Sequence, residues 1–175
     1  MSVIWIDTRQ KPKEWEWLEN EFISKGYQIK KDKPMTYGDY CMPPNLSIII
    51  DTKYCILEVV NNITSNSEEH KRFRNELIGC QEMGSKLYVL IIDETVRKIE
   101  DLIYWVNPRL KYYNVKKNRT LRKGEEFKQK PPTSGIQVAK AMRTMEEKYG
   151  VTFLFCKKNE CCDKILNLLE RKEEY

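Results

Sequence analysis

Short, uninterrupted apolar runs separated by stretches with helical spacing are what most constrain this chain. Leu46-Ser47-Ile48-Ile49-Ile50 and Leu87-Tyr88-Val89-Leu90-Ile91-Ile92 are each one strand long and too short to span a bilayer. A run of that length predicts a strand in the core of a sheet. Val3 to Asp7, Tyr27 to Lys31 and Val151 to Cys156 read as further strands. Around them lie helical stripes. Trp15, Leu18 and Phe22 recur at spacings of three and four, with Pro12 early in the helix and Gly26 closing it, while Trp17 falls off the stripe. Cys55 to Ile63 reads as helix or strand-to-helix. Ser67, followed by Glu68 and Glu69, opens a helix to about Met83, and Gly84 ends it. Thr95 to Trp105 is expected to be helical up to Asn107-Pro108. Ser134 caps a helix that Gly150 ends, and Cys161 to Glu170 forms a last one with Ile165, Leu168 and Leu169 inward. Strands and helices alternate, so the class is α/β, with a central mixed β-sheet flanked by helices in one domain over residues 1–175.

The 175 residues, 41% hydrophobic and with four Trp, suffice for a packed core. Six cysteines without paired CxxC spacing, and a single histidine, argue against structural zinc and for reduced, buried thiols. His70 sits in a run of charges and reads as a solvated helix residue. The N-terminus opens directly on a strand-like pattern, so the expected location is cytoplasmic, with no membrane partner.

The formal charge of +5 is unevenly spread. From Arg109 to Lys130 the chain carries +7, leaving −2 for the rest. Lys116, Lys117, Arg119, Arg122 and Lys123 lie there, interleaved with Tyr112, Tyr113 and Phe127. That mixture suits a phosphate backbone with aromatics for base stacking, and equally a solvated loop. Gly124, Pro131-Pro132 and the weak periodicity mark residues 107–134 as a mobile loop or insertion.

The chemistry is concentrated elsewhere. Gly38-Asp39 precedes a Pro43-Pro44-Asn45 turn, and the apolar run beyond it ends in Asp51-Thr52-Lys53. This predicts a β-hairpin whose first strand ends near Asp39 and whose second carries Asp51 and Lys53 on one face, with Thr52 pointing away. Two carboxylates on adjacent strands can converge on a hard divalent cation, and a lysine beside them can orient an attacking water. Acid-x-lysine alone also arises by chance in a chain one-third charged. Ending a core strand with it serves function better than stability.

Taken in order, these residues resemble the XPF-type nuclease domain, a PD-(D/E)xK branch of the restriction-endonuclease-like, three-layer fold. Asp7-Thr8-Arg9 matches that family's Asp-x-Arg, Gly38-Asp39 its Gly-Asp, and Asp51-Thr52-Lys53 its Glu-Arg-Lys. The helix with Arg72-Phe73-Arg74-Asn75-Glu76-Leu77, the strand Leu87 to Ile92, and the helix-strand-helix of Gly135 to Leu169 extend the likeness over most of the chain outside 107–134. It departs at Asp51 for Glu, Thr52 for Arg, Gln10 for the frequent Glu, and Leu57, with Glu58 next, for a further acid. Ending without a tandem helix-hairpin-helix region, the chain resembles short stand-alone members from bacteria and phages.

The resemblance implies a Mg²⁺- or Mn²⁺-dependent DNA endonuclease acting on branched or single-strand/double-strand junction DNA in recombination or repair. It also implies work on the nucleoid of a bacterial or phage-infected cell. Asp39 and Asp51 would ligate the metal with the Thr52 backbone carbonyl, and Lys53 would position or deprotonate the nucleophile. Asp7 would be a ligand or an anchor, and Glu58 a ligand or a helix-turn acid. Arg9, Arg72 and Arg74 would meet phosphate. A catalytically weak or inactive DNA-binding module is the alternative, and a site-specific restriction-type enzyme reading would need the basic segment as its recognition element. Homodimerisation, as in relatives, would use the apolar face of the last helix.

Overall fold

The computed structural model describes residues 2–64 and 67–171. Among them six strands form one mixed sheet: β1 (Val3–Ile6), β2 (Gln28–Lys30), β3 (Tyr40–Met42), β4 (Asn45–Lys53), β5 (Lys86–Ile92) and β6 (Thr152–Cys156). Their order across the sheet is β2-β1-β3-β4-β5-β6. β1 runs parallel to β2 and antiparallel to β3, β3 and β4 form an antiparallel hairpin, and β4, β5 and β6 run parallel.

Six α-helices are described: α1 (Pro12–Ser24), α2 (Ile56–Ile63), α3 (Glu68–Glu82), α4 (Arg109–Lys117), α5 (Gly135–Tyr149) and α6 (Cys161–Leu169). The sheet has a core on each face. Ile49, Val89, Ile91, Phe153 and Phe155 pack with α2, α3 and α5. Ile4, Ile6, Ile48, Ile50, Leu90 and Ile92 pack with α1 and α6 on the other. Burial on both faces explains why the central strands are continuous apolar runs rather than alternating ones. The helix ends follow the sequence: Ser67 Oγ accepts from His70 N at 3.3 Å, Ser134 caps α5, and Gly150 closes it at φ 63°.

Three expectations fail locally. Thr95 to Trp105 is not an α-helix; only Ile99–Tyr104 coils, as a 3₁₀ helix. Val96, ahead of that helix, and Ile99 and Leu102 within it are buried, a spacing of three that suits 3.0 residues per turn, and Asp93 Oδ1 holds the Thr95 and Val96 amides at 2.8 Å in a turn instead. The basic segment is not wholly irregular, because Arg109–Lys117 is helical, though with no buried residue. Its base is tied where buried Asn107 donates to the Thr133 carbonyl at 2.9 Å. The last helix offers no free apolar face, since Ile165, Leu168 and Leu169 are buried in its own core.

All six cysteines are free thiols, and only Cys55 is not fully buried. His70 is half-buried rather than solvated, its Nδ1 2.7 Å from the Asn62 carbonyl. Among the described residues no helix is long and apolar enough to cross a membrane. The expected fraying of the tail at 171–175 lies outside the described residues, apart from Arg171.

Candidate metal and phosphate site

The hairpin brings the acids together with one correction to the expected register. Asp39 does not end the first strand; it immediately precedes β3, which turns at Pro43-Pro44 through a cis peptide bond. The Asp39 amide donates to the Ile50 carbonyl at 2.7 Å and starts the β3–β4 ladder. Gly38 makes that start possible. Its φ is +61°, and a Cβ there would lie 2.9 Å from the Ile50 carbonyl oxygen.

A cleft of about 630 Å³ opens at the carboxyl ends of β1 and β4. Asp7, Asp39, Asp51, Thr52, Lys53 and Glu58 all line it, as do Arg9 and Arg72. Seven carboxylates and four basic groups face the space, so it favours a cation over bare phosphate. Arg74 is exposed and outside the cleft lining. Lys116, Lys117, Arg119, Arg122 and Lys123 are exposed away from that lining, and Arg119 pairs with Glu125. Their segment nevertheless starts beside the cleft: Arg109 Nη1 reaches Asn61 Oδ1 at 3.4 Å, next to Asn62 on the rim.

Asp51 and Lys53 share a strand face and are paired. Lys53 Nζ lies 2.8 Å from Asp51 Oδ1 and 2.6 Å from Oδ2. Asp51 Oδ2 is shielded from solvent and receives no well-directed hydrogen bond, although the ammonium is close. Such an oxygen retains a lone pair for a cation.

Thr52 lies on the opposite face, as expected, yet it does not leave the site. Its amide and its hydroxyl both donate to Asp39 Oδ2 at 2.7 Å. Behind it, Gln10 Nε2 donates to Thr52 Oγ1 at 2.9 Å, and the Tyr40 hydroxyl donates to Gln10 Oε1 at 2.6 Å. Gln10, Tyr40 and Thr52 are buried, so this relay fixes the Asp39 carboxylate from behind. Gln10 and Thr52 are two of the departures from the family pattern, and the structure wires them together.

Glu76 was not read from the sequence as a site residue. It lies on α3, and its Oε1 accepts from the Gly38 amide at 2.6 Å, beside Asp39. The signal was present: Phe73, Glu76 and Cys80 follow a three-four spacing, which sets an acid within the buried stripe of the helix. Gly79, one turn away, leaves room for the Tyr37 ring against the same helix.

Two of the carboxylates, Asp39 and Glu76, are raised. Burial and the nearby Asp51 charge push Asp39 up to about 7, against the lowering pull of Lys53 and the Thr52 hydrogen bonds. Burial and Asp51 also push Glu76 up. Burial alone would lower Lys53, but attraction to Asp51 and Asp39 outweighs it and raises its pKa, so the amine stays protonated.

The other expected ligands are engaged elsewhere. Asp7 is buried and accepts from Arg9 through both oxygens, at 2.5 to 3.1 Å, while the same guanidinium donates to the Met35 carbonyl at 2.6 Å. Asp7 therefore anchors the Arg9 side of the cleft. Glu58 is exposed, and its Oε2 accepts from the Tyr54 amide at 2.9 Å in the first turn of α2.

Among the described residues no three acid, His or Cys side chains stand at ready-made ligand spacing. The donor chemistry nevertheless fits a hard divalent cation. The oxygens are carboxylates, they repel one another, and Asp51 Oδ2 is buried without a directed donor. No protein-family model matches this sequence, and a search of curated proteins likewise returned no match.

Proposed function

We propose that this chain is a metal-dependent DNA endonuclease of the XPF-type, restriction-endonuclease-like class, one that selects branched or junction DNA in recombination or repair. The observation that carries the reading is the convergence of Asp39, Asp51 and Glu76, from a loop, a strand and a helix, on one cleft beside Lys53. Mutual repulsion among carboxylates is costly for stability alone, so gathering them is explained best by a cation that neutralises them.

Asp39 and Asp51 would hold Mg²⁺ or Mn²⁺ with the Thr52 backbone carbonyl, and Glu76 adds negative potential behind them. When bound, the cation supplies charge neutralisation at the scissile phosphate and a source of nucleophilic water at neutral pH. Thr52 and Gln10 keep the Asp39 oxygen oriented, sparing reorganisation when substrate arrives. Lys53, held protonated, acts as a donor: it orients the attacking water and offsets charge on the phosphorus, and does not serve as the base. Arg72 on the rim and Arg9 beside Asp7 meet flanking phosphates.

The second reading is a catalytically weak or inactive DNA-binding module. The Lys53 ammonium bridging both Asp51 oxygens favours it, because that ion pair must open before Asp51 can ligate. Labelled flap, fork, four-way-junction and linear DNA, incubated with Mg²⁺, Mn²⁺ or EDTA, separate the two. Metal-dependent cleavage favouring a branched substrate supports the enzyme. Binding without cleavage on every substrate supports the module.

A further inference from the structure

On the sheet face that carries Ile49, the helical cover ends at β4: among the described residues no side chain of β1, β2 or β3 joins the core there. What lies on that open shelf is chemically specific. Trp5 sits at its centre, flanked in register by Lys30 on β2 and Cys41 on β3. Lys30 Nζ is 4.9 Å and Lys33 Nζ 5.3 Å from the Trp5 ring centroid. Leu46, Met35 and Met83 wall a hollow of about 310 Å³ around the ring. Its lining holds one acid, Asp32, which pairs with Lys30 at 3.3 Å. Thr36 and Tyr37 line both this hollow and the acidic cleft, so the two adjoin.

We infer that this shelf binds an unpaired DNA strand next to the cleft, with a base stacked on Trp5 and flanking phosphates on Lys30 and Lys33. The inference rests on reading the cleft as a phosphodiesterase site, and it names the part of the substrate that reaches it. Base stacking on an aromatic ring outweighs a cation–π contact at an exposed site, so both lysines, which are exposed, can exchange the ring for phosphate. Trp5 is half-buried, so a base reaches the ring where the two ammoniums now lie, and a base inside a duplex has no free π-face to offer it. An acidic peptide would satisfy the lysines and leave the indole and the methionines without a partner. The shelf thus adds a lining that is net positive, where that of the cleft is net negative, and a stacking platform for the strand leading into it.

The test is fluorescence anisotropy of labelled oligodeoxythymidylate and of a duplex of equal length, in EDTA, with thermal melts as the folding control. Trp5→Leu should weaken single-strand binding about tenfold and leave duplex binding within about twofold, whereas Trp5→Tyr should retain most of the single-strand affinity. Lys30→Ala with Lys33→Ala should reduce the salt slope of single-strand binding by about 1.4, the release expected for two phosphate contacts. Unchanged single-strand affinity in Trp5→Leu, equal losses on both substrates, or no rescue by tyrosine would overturn the shelf. Should Trp5→Leu fail to fold, Trp5→Tyr and the double lysine variant decide by the same criteria. Because binding is read without metal, a protein that cleaves nothing yet keeps the Trp5 dependence sinks the nuclease reading alone. A protein that cleaves with no Trp5 dependence sinks the shelf alone.

Discussion

Thr52 donates both its amide and its hydroxyl to a single carboxylate oxygen of Asp39, each at 2.7 Å. A threonine pointing to the far face of β4 is thereby the link between a buried Gln10–Tyr40 pair and the acid at the mouth of the cleft. Thr52→Val keeps the shape, removes one donor to Asp39 and strands the Gln10 amide. It should cost about 2 kcal/mol in denaturant unfolding, and Thr52→Ser should restore most of that. A loss below about 0.5 kcal/mol would mean that the relay does not hold Asp39.

The raised Asp39 fixes a sign for pH. Its folded value of about 7 lies above the ordinary 3.8, so the protonated fold is the favoured one. Asp39 therefore stabilises the metal-free protein fully below about pH 4, and that contribution is lost as pH rises through about 7. The raised Glu76 acts in the same direction. A cation must displace the proton, so Mn²⁺ should raise the melting temperature more at pH 8 than at pH 6. Asp39→Asn should remove most of that difference. Thermal melts with and without Mn²⁺ at the two pH values check it.

Glu76→Gln separates field from fold. The amide oxygen can still accept from Gly38, so stability should hold or rise slightly, since repulsion with Asp51 is relieved. Mn²⁺ affinity, by calorimetric titration, should fall about tenfold, a difference of about 1.4 kcal/mol. Unchanged affinity would remove Glu76 from the site.

The basic segment predicts a salt effect. Replacing Lys116, Lys117, Arg122 and Lys123 with Ala should flatten the dependence of duplex affinity on salt by about 3 to 4 in log–log slope. An unaltered slope would leave the segment as a solvated loop.

The sheet and the site were legible to different depths. Ile48 to Ile50 and Leu87 to Ile92 announced buried strands because both sheet faces are covered, and Asp51 and Lys53 fell on one face because strand residues alternate. The position of Asp39, just before the hairpin's first strand rather than at its end, is not legible locally, because it depends on the positive φ of Gly38 and on the Ile50 carbonyl. An acid such as Glu76 in an apolar helical stripe looks like noise until another element, here the Gly38 amide, supplies its partner. Gln10 and Thr52 read as departures one at a time. Their hydrogen bond spans 42 residues, and a pair so distant is invisible to local pattern. The 3₁₀ turn at Ile99–Tyr104 is indistinct from an α-helix in sequence because Val96, Ile99 and Leu102 fit a period of three as well as a helical stripe.

The most direct test of the acid–acid–lysine centre is single-turnover cleavage of a labelled flap substrate in Mn²⁺ by the unaltered protein, Asp51→Asn and Lys53→Ala. Asp51→Asn removes a ligand charge and Lys53→Ala the ammonium that orients water, so each should slow cleavage at least about a hundredfold while DNA binding persists. Cleavage at an undiminished rate in both variants would contradict the site.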